Sequence, residues 1–181
     1  MKRPNILLIT TDQQRYDTIC AMGYDFMETP NLDLLAAEGC CYPNAFSSNP
    51  VCMAARHQII TGLTARYHGF DDNYFESDPK MIPYDLPTLP QLLSDAGYDT
   101  IAIGKMHFQP CRRHNGFTKM ELMEEIPRYL EDDEYTKYLK ENGYGHLQSP
   151  HGVRHLLYML PQRSLIPEEH HGSTWVAKRS I

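Results

Sequence analysis

The sequence predicts an α/β fold with a doubly wound, mainly parallel sheet and helices on both of its faces. Two runs carry that expectation: residues 5–11 (NILLITT) and 100–103 (TIAI) are apolar and rich in β-branched residues without polar alternation, the pattern of strands covered on both faces. The third observation is order, since helical and strand patterns alternate along the chain.

The first strand ends at Asp12, and in open α/β sheets ligands gather beyond the carboxyl ends of the strands. Thr29-Pro30-Asn31 then offers a cap and a proline near the first helical position, followed by Leu32, Leu34, Leu35, Ala36 and Ala37, with Gly39 as the stop. Another helix starts at or near Cys52, because Met53, Ala54, Ala55, Ile59 and Ile60 recur on a helical face until Gly62. Residues 88–96 (TLPQLLSDA) are amphipathic and closed by Gly97, and the TIAI strand delivers Gly104-Lys105-Met106-His107 at its end. Residues 120–142 turn acidic and tyrosine-rich and read as surface helices whose charges form a solvated face rather than a site. Residues 144–168 are loop-like, and Pro167-Glu168-Glu169 opens a final helical segment, HHGSTWVAKRSI.

With 181 residues, 41% hydrophobic and 22% charged, the chain suits one domain with a real core. No apolar run approaches the roughly 18 residues of a membrane span. The piece Ile6-Leu7-Leu8-Ile9 is too short for a signal-peptide core, so the expectation is a cytoplasmic protein without a membrane partner. The net charge of -6, with signs scattered, offers no basic stripe and argues against nucleic acid. The five cysteines (Cys20, Cys40, Cys41, Cys52, Cys111) are irregularly spaced and lack a Cys-x-x-Cys pair, which suits reduced thiols in a reducing compartment.

Two places could carry chemistry on local grounds. Asp12 and Gln13 put a carboxylate and an amide oxygen at a strand end, donors suited to a hard cation, although a turn cap would use the same residues. Cys52 sits at a helix start with Arg56 one turn later, an arrangement that favours a thiolate; a buried, inert cysteine is the rival reading.

Cys52-Met53-Ala54-Ala55-Arg56 resembles the Cys-x-Pro-x-Arg or Cys-x-Ala-x-Arg signal of the sulfatase family, in the alkaline phosphatase superfamily, where a maturation enzyme converts the cysteine to formylglycine. Other landmarks stand in order around it. NILLITTDQQR resembles the opening metal strand, TPNLDLLAAEG the following helix and NAFSSNPVCMAARHQIITG the nucleophile segment. LLSDAGYDTIAIGKMHF resembles the lysine-histidine strand, and IPEEHHGSTW a histidine-to-tryptophan segment.

The resemblance implies an alkaline phosphatase-like α/β domain that hydrolyses sulfate esters of small molecules or glycans. Asp12 and Gln13 look like the first metal ligands, joined by the modified Cys52 and completed in the resembling branch by a later Asp-His pair, for a divalent cation: calcium first, with manganese or magnesium also suited. Arg56 would hold the hydrated aldehyde, and Lys105 and His107 would contact sulfate oxygens and the formylglycine. Asn73, after Arg66-Tyr67-His68-Gly69, matches a residue touching the transferred group, and His171, with His170 as its rival, would donate a proton to the leaving alcohol. His57, His68, His114, His146, His151 and His155 show no ligand spacing. The Asp12-Gln13 form is similar to the choline sulfatase and phosphonate monoester hydrolase branch, so a phosphonate or phosphate ester hydrolase is an alternative. No Asp-His or Asp-Asn pair follows a later hydrophobic strand, which makes residues 1–181 resemble an N-terminal portion whose C-terminal half is absent. Such a portion would be inactive alone and need a complementary C-terminal half; a catalytically dead fragment is the third reading.

Overall fold

In the computed structural model the described residues are 3–74, 80–125, 127, 133–147, 149–153, 156 and 159–181. They form two compact units, Met1–Ser47 and Ser48–Ile181.

The first unit is organised around helix α1, Pro30–Glu38, which begins at its proline as expected. Short 3-10 turns at Tyr16–Thr18 and Cys20–Met22 precede it. The Thr29 hydroxyl accepts from the Cys20 N–H at 2.9 Å and donates to Asp33 Oδ1 at 2.9 Å; the same carboxylate takes the Ala21 N–H at 2.8 Å. Residues 5–11, expected as a covered strand, are not one. Ile6, Leu7, Leu8 and Ile9 are 61 to 75% exposed, and no ladder to them occurs among the described residues. A parallel strand is defined by neighbours far along the chain, which local apolar composition does not supply.

In the second unit, β1 (Ile101–Gly104) pairs in parallel with β2 (Lys119–Leu122), Ile101 opposite Lys119 and Gly104 opposite Leu122. Helices α2 (Cys52–Thr61), α3 (Ala65–His68) and α4 (Leu89–Asp95) come before the sheet. Helices α5 (Glu134–Glu141) and α6 (Gly172–Ser180) come after it. Thr88 caps α4 by accepting the Gln91 N–H, and Gly62 closes α2 in the left-handed conformation, both as the sequence signals.

The pleat separates two apolar layers. On one face Ala102, Met120 and Leu122 pack with Met53 and Ile60 of α2 and with Phe70, Ile82 and Phe108. On the other, Ile103 and Met123 pack with Tyr135 and Leu139 of α5 and with Trp175 of α6. Helices therefore cover both faces of a parallel pair, the α/β arrangement expected.

The acidic stretch departs from the expectation of solvated surface helices. It opens as strand β2, and Glu121, Glu124 and Asp133 are buried, at 6, 6 and 1% exposure; only α5 is helical as expected, while residues 126 and 128–132 lie outside the described residues. Glu121 tolerates burial because Arg179 of α6 grips both its oxygens, with Nη2 at 2.6 Å from Oε1, and Lys119 Nζ stands 2.6 Å from the same oxygen. These cations, Arg179 foremost, hold its carboxyl down at about 2. Among the described residues no helix is long and apolar enough to cross a membrane.

Candidate active site

Helix α2 puts Cys52 at its first residue, after Val51 in extended backbone. First-turn N–H groups have no acceptor inside their own helix. The Met53 N–H finds one in Asn73 Oδ1 at 3.0 Å, so Asn73 caps the helix from the loop after α3. Arg56, one turn on from Cys52 and so on the same side, donates from Nη1 to the Lys105 carbonyl. Lys105 returns across the same gap: its Nζ lies 3.7 Å from Cys52 Sγ and 2.9 Å from Glu125 Oε2, with its side chain 11% exposed. The structure thus brings Cys52, Arg56, Lys105 and Asn73 together, with a cation against the cysteine at a helix N-terminus.

The turn leaving β1 is shaped by two positive-φ residues. Gly104 has φ 100, and a Cβ there would sit 3.4 Å from Val176 of α6; His107 has φ 54, unusual for a non-glycine residue. Buried Glu124, just past β2, receives this turn. Its Oε1 accepts the Met106 and His107 N–H groups, each at 2.9 Å, and Oε2 accepts His107 again at 3.1 Å. Burial raises the Glu124 carboxyl, against the opposing pull of those N–H groups and of Arg56 and Lys105. The Glu124 N–H in turn donates to Asp133 Oδ2, while Asp133 Oδ1 caps α5 by accepting the Thr136 N–H at 2.6 Å.

The remaining candidates have the following surroundings. Asp12 and Gln13 belong to the first unit, where both are exposed and Gln13 has φ 48. His171 is the exposed N-cap of α6, its Nδ1 accepting from the Ser173 N–H at 3.3 Å. Its rival His170 is half-buried, with Nδ1 2.7 Å from the Tyr138 hydroxyl and its ring 5.3 Å from that of Tyr144. His57 and His68 are core residues, and His155 lies outside the described residues.

Sequence reasoning missed Glu124, Glu125, Asp133 and His151. Burial lowers the pKa of His151, against the opposing charges of Asp133 and Glu125 nearby. No sequence signal marked them: the Glu124-Glu125 pair emerges beside Lys105 and His107 because β2 runs parallel to β1 and both strands end on one side of the sheet, a pairing visible only in the structure.

Asp12 and Gln13 are hard oxygen donors of the right type for calcium, yet two donors fall short of the roughly six it takes. Among the described residues no group of three His, Cys, Asp or Glu could hold a metal ion.

Comparison with known proteins places this α/β unit. The profile of the Sulfatase family matches residues 4–163, and the chain belongs to that family. It is 41% identical over 120 residues to an arylsulfatase of Clostridium perfringens, covering 66% of this chain and 24% of that protein. It is 32% identical over 148 residues to an N-acetylglucosamine-6-O-sulfatase of Bacteroides thetaiotaomicron, covering 79% of this chain and 25% of that protein. The crystal structure of the phosphonate monoester hydrolase of Agrobacterium radiobacter shares the fold, with a TM-score of 0.74 at 22% identity over 98% of this chain and 37% of that one. The chain thus spans about a quarter of the length of these curated relatives.

Proposed function

We propose that this chain carries the nucleophile side of a sulfate ester hydrolase, with Cys52 converted to formylglycine by a maturation enzyme. The observation that supports this best is the placement of the Cys-x-Ala-x-Arg cysteine at the first residue of α2 with Lys105 Nζ 3.7 Å from its sulfur. An oxygen in place of that sulfur would face the ammonium and the helix N-terminus, so the residues present fit the modification. When bound in this way, the hydrated aldehyde supplies one hydroxyl for attack and a second for later release of sulfate.

The chain's own groups set the charge balance. Lys105 and the first turn of α2 attract the ester's anionic oxygens and oppose charge as it grows, usually the dominant contribution to such catalysis. Arg56, through the Lys105 carbonyl, fixes the lysine's backbone relative to the helix. His107 stands two residues beyond Lys105 on the same turn and is the proposed second contact of the transferred group, and Asn73 holds the helix end. His171 is the proposed proton donor to the leaving oxygen. Asp12 and Gln13 would contribute oxygen donors to a divalent cation, calcium first; such a cation supplies further charge neutralisation. Since the matched stretch covers only about a quarter of each relative, the activity is proposed for this portion together with a complementary C-terminal portion.

The Asp12-Gln13 pair, Asn73 and the likeness in fold to a phosphonate monoester hydrolase favour a second reading, hydrolysis of phosphonate or phosphate esters. Parallel turnover of an aryl sulfate and a phenylphosphonate ester by the matured protein separates them, and higher kcat/KM on the phosphonate would reverse the assignment. For the modification, the tryptic peptide ending at Arg56 should be lighter by about 18 Da than its thiol form when made in a host with the maturation enzyme. An unshifted mass there refutes the role of Cys52.

A further inference from the structure

We propose that Glu124 is a positioning residue, the clamp that fixes Lys105 and His107 against the head of α2; this rests on the reading of those two residues as contacts of the transferred oxyanion. Two buried glutamates near the sheet invite comparison. Glu121 is neutralised by side-chain cations, Arg179 and Lys119, and its bonds tie β2 to α6. Glu124 instead directs both carboxylate oxygens at consecutive backbone N–H groups, Met106 and His107, through three contacts of 2.9 to 3.1 Å.

Those N–H groups belong to a turn with a cost of its own. His107 is held at φ 54, a conformation that persists in a non-glycine residue only when its surroundings over-determine it. Charge-assisted bonds from a 6% exposed carboxylate supply that determination. Glu124 is itself anchored, its N–H donating to Asp133 Oδ2. The path runs from the α5 cap through Glu124 to the turn, then through the Lys105 carbonyl to Arg56. Releasing the turn lets Lys105 and His107 move without removing either side chain.

The test uses three variants of the full protein. E124A removes the acceptors, E124Q keeps one oxygen in the same volume, and E121Q weakens the other buried glutamate as a stability control. In E124A, hydrogen exchange at the Met106 and His107 amides, read by NMR, should accelerate at least about tenfold. On an aryl sulfate, kcat of the matured protein should fall about 10- to 100-fold with KM little changed, the effect expected of groups that orient catalytic residues. E124Q should recover much of the rate, its His107 amide exchanging a few-fold faster than wild type. E121Q should lower thermal stability without lowering kcat. Unchanged exchange at both amides in E124A, or in E124Q should E124A not fold, overturns the proposal. So does a kcat loss in E121Q equal to that in E124A. Absence of sulfate ester turnover in the wild type would count against the proposed activity alone, because the exchange measurement needs no turnover.

Discussion

Acidification should loosen the core beneath α2 through a single ring. His57 is 1% exposed, stacks on Phe70 with centroids 3.7 Å apart, and donates from Nδ1 to the Met53 carbonyl at 2.7 Å. Burial, foremost, with His68, Arg113 and His107 nearby, lowers its pKa from 6.5 to about 4. A histidine depressed in the folded state binds its proton more readily when unfolded. Its stabilising share is therefore complete above about pH 6.5 and is lost as pH falls toward about 4. At ~1.4 kcal/mol per pH unit the full loss is about 3 kcal/mol, of which about 2 kcal/mol falls between about pH 7.5 and pH 5. Glu124 and Asp133, raised by burial, act in the opposite sense, so the comparison must be with a variant. His57→Phe keeps the stack, loses the Nδ1 bond and so costs about 1 kcal/mol at neutral pH. Urea unfolding of both proteins across this range should show the wild type more stable by about 1 kcal/mol near pH 7.5 and less stable by about the same near pH 5. Stability curves that stay parallel would show that the ring does not titrate as its burial demands.

Two further substitutions check the scaffold. Asn73→Ala leaves the Met53 N–H at the head of α2 without its 3.0 Å acceptor and should cost about 1 kcal/mol in urea unfolding. Gly116→Ala places a Cβ 2.3 Å from the Gln91 nitrogen at φ +94, a clash with backbone that should cost about 3 kcal/mol, read as a lowered Tm.

What the sequence revealed was whatever local chemistry decides. Pro30, Thr88, Gly62 and Gly97 mark helix ends because capping and positive φ act within a few residues, and α1, α2 and α4 fall where those signals put them. The short apolar run before Gly104 was equally visible as β1. Strand β2 was hidden, since KMEL looks solvated until Arg179, 58 positions away from Glu121, neutralises it. Residues 5–11 failed in the reverse direction, apolar in sequence yet exposed. In the site, Cys52 and Arg56 were legible through one helical turn, as was the Lys105 and His107 strand end. The buried carboxylates Glu124 and Asp133 were not, because their partners are backbone N–H groups, which carry no sequence signature.

The position of Cys52 at the very head of α2 also bears on how the pentapeptide can vary. Ala54 is the third residue of that helix, where the backbone N–H has no intrahelical carbonyl to reach. A proline there forfeits no ladder bond, which accounts physically for a motif that accepts alanine or proline at its middle position. Met53 is the less replaceable member: wholly buried, with its sulfur 3.1 Å from the Tyr74 N–H, it answers to the packing of Phe70 and Leu122. Of the two nominally free letters in Cys-x-Ala-x-Arg, the first is constrained by the interior of the domain, and a search pattern that leaves it open discards information the fold retains.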